Sequence, residues 1–209
     1  MENILVAGAN GTTGKKIVNL LKESQYFNPV AMVRKEEQLA QFKNNGIETV
    51  LADLEEDLTD AVKNIDKIVF AAGSGGKKVV AVDQEGAKRL VDAAKSAKIK
   101  KFVMLSSMGA DAPGEAEDLK DYLSAKRNAD EYLKNSGLNY AIVRPGALTN
   151  ETGSGKIALE KHFEKQGEIN RQDVAQTLVR ALHDAAANRK TFEIVKGNTL
   201  IGKALEKIS

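Results

Sequence analysis

The chain has 209 residues, 42% of them hydrophobic and 29% charged, a balance that excludes a disordered or fibrous polymer and allows one substantial core. Its 31 basic residues nearly balance 29 acidic ones, and the lysines are scattered among glutamates, so no stripe marks a nucleic-acid partner. There is no cysteine and there are two histidines, which removes disulfides, thiolate catalysis and Cys- or His-rich metal motifs; no metal is expected. No apolar run approaches the roughly 20 residues that cross a bilayer and no leader is legible, so a cytoplasmic protein is expected.

Short continuous apolar runs recur along the chain: Ile4–Ala7, Val30–Val33, Lys67–Ala72, Phe102–Leu105 and Tyr140–Val143. Runs of this kind suit strands buried on both faces. Helical spacing lies between them, at Ile17, Leu20 and Leu21, at Leu90, Val91 and Ala94, and at Leu123, Ala129, Tyr132 and Leu133. A weaker strand is read at Ile47–Leu51 and a short helix at Leu58–Ile65. The alternation predicts an α/β fold: a doubly wound parallel sheet of Rossmann type with helices on both faces. After Gly146 the rhythm loosens into a loop, a helix near Gln172–Ala186, an isolated strand Thr191–Val195 and a terminal helix through Leu205. One domain is expected, with a core over residues 1–146 and a small substrate-side extension over 147–209.

The first strand ends in Gly8-Ala9-Asn10-Gly11-Thr12-Thr13-Gly14, where a helix is expected to begin. Glycines at this strand-to-helix turn let the backbone approach a pyrophosphate, and the helix N-terminus attracts its charge. The second strand ends at Arg34-Lys35, about 20 residues past the last glycine, where an NAD-preferring site carries an acidic group. Arg34 can take a 2′-phosphate on its guanidinium fork, which favours NADP with NAD as the alternative; Glu36 and Glu37 beside it can also neutralise it. Asp53, followed by Leu54, can accept from an adenine amino group or serve as a turn residue. Gly73-Ser74-Gly75-Gly76-Lys77 lacks Walker spacing and is read as passing under the cofactor.

The fifth strand runs into Leu105-Ser106-Ser107-Met108-Gly109, and Tyr122-Leu123-Ser124-Ala125-Lys126 lies beyond it. Tyr122 and Lys126 are one helical turn apart, so they share a face. A nearby ammonium lowers a tyrosine pKa from about 10 toward neutrality, as a proton donor for carbonyl chemistry requires, and Ser107 can hold the substrate oxygen. Tyr122 can also simply pack while Lys126 binds a cofactor ribose. His162 can contact an anionic or carbonyl group or be an ordinary surface histidine. Arg171 and Asp173 are read as structural helix-start residues, and Glu115–Asp118 as a solvated loop or a lid.

These segments, with Val143-Arg144-Pro145-Gly146, resemble the atypical branch of the short-chain dehydrogenase/reductase superfamily, near its NmrA-like and small biliverdin-reductase-like members, over most of the chain. The resemblance implies that the glycine loop binds pyrophosphate, Arg34 the 2′-phosphate, Ala72-Gly73 the adenosine ribose side and Pro145-Gly146 the nicotinamide edge. It further implies that Ser107, Tyr122 and Lys126 are the catalytic serine, tyrosine and lysine. At the fourth catalytic position the family's asparagine is replaced by Asp83, and only a short segment comes after Gly146. The expectation is an NADP(H)-dependent oxidoreductase acting on a small carbonyl, quinone or flavin-like acceptor. An NADP-sensing binding protein and a sugar-nucleotide epimerase or dehydratase stand as alternatives, and monomer or homodimer is left open.

Overall fold

The computed structural model describes residues 1–209. In chain order the elements are β1 (Glu2–Ala7), α1 (Thr12–Lys22), β2 (Phe27–Val33), α2 (Glu36–Lys43), β3 (Glu48–Leu51), β4 (Lys67–Phe70) and a π-helical segment Val79–Gly86 that runs into α3 (Ala87–Ser96). Then come β5 (Lys101–Leu105), α4 (Lys120–Lys134), β6 (Tyr140–Pro145), β7 (Ala147–Thr149), β8 (Lys156–Glu160), β9 (Glu168–Asn170), α5 (Arg171–Ala181), β10 (Lys190–Lys196), β11 (Thr199–Leu200) and α6 (Ile201–Glu206). Nine strands form one sheet in the order β3-β2-β1-β4-β5-β6-β10-β8-β11, parallel from β3 through β10, with β8 antiparallel to β10. This is the Rossmann arrangement.

The apolar strands alternate between two cores, as pleating demands. Ile4, Val6, Val69, Val103 and Val143 face α1, α5 and α6, while Leu5, Ile68, Phe70, Phe102 and Ile142 face α3 and α4. No helix is long and apolar enough to cross a membrane.

Three expectations change. Residues 58–65 form successive turns rather than a helix: only i→i+3 bonds form (Ala61 to Leu58, Lys63 to Asp60, Ile65 to Val62) and Asn64 adopts φ 58°. Leu58, Ala61 and Val62 are nonetheless buried, so the apolar pattern reflects burial without helical hydrogen bonding. The strand near Thr191 is not isolated, because β10 pairs in parallel with β6 from Lys190↔Ala141 to Ile194↔Pro145. The helix read to Ala186 ends at Ala181. The turns after α5 are tied to the amino-terminal edge of the sheet: buried Lys101 donates to His183 O (3.0 Å), Asn188 Oδ1 (2.8 Å) and Ala186 O, and buried Lys67 donates to Leu182 O (3.0 Å) and Asp184 (2.6 Å). Burial pushes the Lys101 ammonium down to about 8.

Candidate active site and dinucleotide cleft

β1 pairs with β2 on one side and β4 on the other, so the strand order reverses at the end of β1, where open α/β sheets bind ligands. Gly8 sits there with φ +87°, and a Cβ on it would lie 2.6 Å from the Ala72 backbone. A Cβ on Gly14 would fall 2.0 Å from the Gly8 carbonyl oxygen, so helix and turn meet in backbone contact. Gly14→Ala is therefore expected to cost about 3 kcal/mol and to lower the melting temperature by roughly 6–12 °C, read by thermal unfolding. It should also abolish dinucleotide-induced stabilisation.

Gly11 is the N-cap of α1, no side chain caps the helix, and its first turn carries no acid. A missing cap costs about 1 kcal/mol, less than burying Ile17 and Leu21 at about 1.5–3 kcal/mol each. The free N–H groups of Thr12, Thr13 and Gly14 thus face a site suited to phosphate oxygens. Asn10 Oδ1 and Ser74 Oγ are buried without hydrogen-bond partners at the same place. A polar ligand would satisfy them, so the cradle fits a dinucleotide.

One cleft collects Gly8, Asn10 and Gly11 with Arg34, Asp53, Leu54, Ala72 and Gly73. Arg34 has no salt bridge with Glu36 or Glu37; its backbone N–H donates to Gln38 Oε1 at 3.2 Å. Asp53 is a turn residue that also borders the cleft: its Oδ1 accepts from Glu55 N at 3.0 Å. Sequence reasoning missed Gln38 and Lys78; the signal for Gln38 is its place one helical turn after Arg34. Lys77 and Ser74, from the glycine-rich stretch, also line the cleft.

The remaining predicted residues lie toward β5 and β6. Lys126 is buried, with Nζ 5.5 Å from the Tyr122 ring centroid, so the two do share a face of α4. Asp83, buried in the π-helical segment, places Oδ1 3.3 Å from Lys126 Nζ and accepts Ser74 N–H on Oδ2 at 3.0 Å. One carboxylate therefore connects the dinucleotide cleft to the Tyr122 face. Ser107 Oγ donates to Met108 O at 3.3 Å, and no hydrogen bond joins it to Tyr122. Pro145 O accepts from Met108 N at 3.0 Å, which knits the Pro145–Gly146 end of β6 to the loop carrying Ser107. A Cβ on Gly146 would meet Gly167 O at 2.2 Å, so close backbone packing explains that glycine.

Beneath this surface lies a polar network that the sequence does not disclose. Asp130 of α4, wholly buried, accepts from Ser106 Oγ and from Arg144 Nε and Nη2, each at 2.9 Å. Burial pushes its carboxyl up, and Arg144 and Ser106 pull it back down. Arg171 and Asp173 are structural, as their place at a helix start implies: Asn170 caps α5 by accepting from Asp173 N at 2.8 Å, and Arg171 donates to Leu148 O at 3.2 Å.

A glycine cradle, an uncapped helix terminus and a cationic cleft at the switch point of a parallel sheet define a dinucleotide-binding protein. Residues 8–185 match the model of a family described as NAD(P)H-binding, and the chain belongs to that family. A Bacillus subtilis (strain 168) relative named "Uncharacterized sugar epimerase YhfK" is 41% identical over 213 residues, covering 98% of this chain and 99% of the relative. The solved structure of a Bacillus halodurans protein provisionally named an NAD-dependent epimerase/dehydratase has a TM-score of 0.95 at 40% identity, covering 99% of this chain and 100% of that one. That of the oxidoreductase ylbE from Lactococcus lactis has a TM-score of 0.89 at 32% identity, covering 99% and 96%.

Proposed function

We propose that the protein is an NADP(H)-dependent oxidoreductase of the atypical short-chain type, acting on a small carbonyl, quinone or flavin-like acceptor. The observation that carries this reading is the bridge from Ser74 through Asp83 to Lys126 and Tyr122. It links a residue that borders the cleft, Ser74, to the lysine that lies against the Tyr122 ring. The bound nicotinamide would supply or accept the hydride. The chain's residues do the rest: Tyr122 offers its phenolic proton to the acceptor oxygen, Lys126 holds the tyrosine face cationic, and Asp83 keeps Lys126 in place. Ser107, just past the carboxyl end of β5, would hold the same oxygen. Pyrophosphate falls to the turn and α1, and adenine to Asp53 and Leu54.

The preference for NADP rests on Arg34, unpaired at the cleft, with Lys77 nearby. A charge-assisted hydrogen bond contributes about 1.5–3 kcal/mol, so Arg34→Ala is expected to weaken NADP⁺ binding about 10- to 100-fold while changing NAD⁺ binding little. Calorimetric titration with both dinucleotides checks it, and equal losses would refute the assignment.

The names of the Bacillus relatives favour a second reading, an epimerase or dehydratase, and the B. subtilis name specifies a sugar epimerase. Against a bulky sugar nucleotide stands the use of the chain after Gly146. About half of it becomes β8, β10, β11, α5 and α6, which complete the sheet and its cover instead of building a substrate lobe. Loss of NADPH absorbance with a panel of quinones, flavins and small carbonyls tests the proposal. Turnover of sugar nucleotides alone would replace it, and tight dinucleotide binding without turnover of any acceptor would favour a sensor.

A further inference from the structure

Three side chains remote in sequence converge beyond the carboxyl end of the sheet. Asp111 lies in the loop between β5 and α4, His162 just after β8, and Glu193 within β10. His162 Nδ1 is 3.4 Å from Asp111 Oδ2 and 3.6 Å from Glu193 Oε1, and the three potential ligand atoms lie within 4.8 Å of one another. Glu193 is the informative member. It has 0% exposure and stands opposite Arg144 in the β10–β6 register. Its Oε2 accepts the Phe163 N–H at 2.7 Å, whereas Oε1, the oxygen turned to His162, has no hydrogen-bond partner. A buried carboxylate oxygen with no donor is costly unless a cation answers it. The adjacent guanidinium is committed elsewhere: Arg144 gives Nε and Nη2 to Asp130, and its Nη1 lies 3.6 Å from Asp111 Oδ1.

We propose that Asp111 Oδ2, His162 Nδ1 and Glu193 Oε1 form a binding site for a divalent transition-metal ion such as zinc or manganese. One imidazole nitrogen with two carboxylate oxygens is a donor set that such ions accept. Ligands about 2.1 Å from a tetrahedral ion stand roughly 3.4 Å apart, close to the two nitrogen–oxygen separations above. The third ligand, buried Glu193, is already oriented by Phe163 N–H, the outer support that metal carboxylates need, and Arg144 Nη1 stands 3.6 Å from the non-ligating oxygen of Asp111. Asp111 and His162 have side chains 44% and 59% exposed, so an ion can enter from solvent and keep open coordination positions. With no cysteine and ligands from three separate elements, no sequence spacing announces the site, which departs from the metal-free expectation. The ion would fasten the loop after β5 to the segment after β8, on the substrate side of the sheet.

Calorimetric titration of the untagged chain with Zn²⁺, paired with visible spectroscopy of its Co²⁺ complex, tests the proposal. The expected result is one ion per chain, with binding weakened at least about 100-fold in His162→Gln. That residue is exposed, so its metal-free melting temperature should match the wild type. His183→Gln, which changes the other histidine, is expected to bind as the wild type does. Glu193→Gln, keeping an acceptor for Phe163 N–H, should weaken binding while a melting curve reports whether it folds. No saturable one-to-one binding up to about 1 mM metal, or binding undiminished in His162→Gln, would overturn the site.

Discussion

Tyr122→Phe is expected to lower kcat by about 10²- to 10⁴-fold, the range that one positioned proton donor supplies, while dinucleotide affinity stays at the wild-type level. The separation of the two readouts has a geometric cause. Tyr122 lies outside the cleft lined by Gly8, Arg34 and Asp53, and its ring, not its hydroxyl, makes the contact with Lys126. Steady-state kinetics with the acceptor found in the panel, beside a dinucleotide titration, check it; full activity in the variant would remove Tyr122 from the reaction. Lys126 is a poorer target. Removing its ammonium leaves Asp83, 1% exposed, as a buried charge, so a lost rate could report unfolding instead of lost chemistry.

Arg144→Met is expected to have the largest effect on stability. It strips the wholly buried Asp130 of its cation, and breaking a buried pair in this way costs about 3–5 kcal/mol. For a chain of this size each kcal/mol shifts melting by roughly 2–4 °C, so a fall of roughly 6–20 °C should appear at neutral pH. The loss should depend on pH with a definite sign. Burial already raises the folded-state pKa of Asp130, and Arg144 opposes that rise. A carboxyl whose folded pKa is raised binds its proton more tightly in the folded state, so its contribution to stability is present at low pH and lost as pH climbs through that pKa. Without Arg144 the pKa moves further up. The deficit of Arg144→Met should therefore be smallest in acid, where Asp130 is neutral, and widen toward neutrality. Melting curves across that range read this, and adding Asp130→Leu to Arg144→Met should recover much of the loss.

The legible parts of the sequence are those in which local pattern and tertiary role coincide. Ile4–Ala7 running into Gly8, and Tyr122 one turn before Lys126, are short-range signals, and both fall where expected. Residues 58–65 mislead because Leu58, Ala61 and Val62 fill the core from successive turns, and apolar spacing reports burial before it reports hydrogen bonding. The short strands β7, β8, β9 and β11 escape because two to five residues are too few to carry a period. Asp83 stands out in the sequence only as a departure, and the contacts that give it a role, Ser74 N–H on one oxygen and Lys126 on the other, join segments distant in sequence. The roles of Asp130, Arg144 and Glu193 are hidden for the same reason: the partner of each is set only by packing between segments distant in sequence.

Placing β10 between β6 and β8 limits how such a chain can be re-engineered. A cut after Gly146 would turn β6, with Ala141 and Val143 fully buried, into a bare sheet edge prone to pairing with other chains. It would also leave the ammonium groups of Lys67 and Lys101 without the carbonyls at Leu182, His183 and Ala186. Removal of the chain after Gly146 should therefore yield insoluble protein. Even shorter exchanges after Gly146 are constrained, because Gly167 packs against Gly146 and Asn170 caps α5.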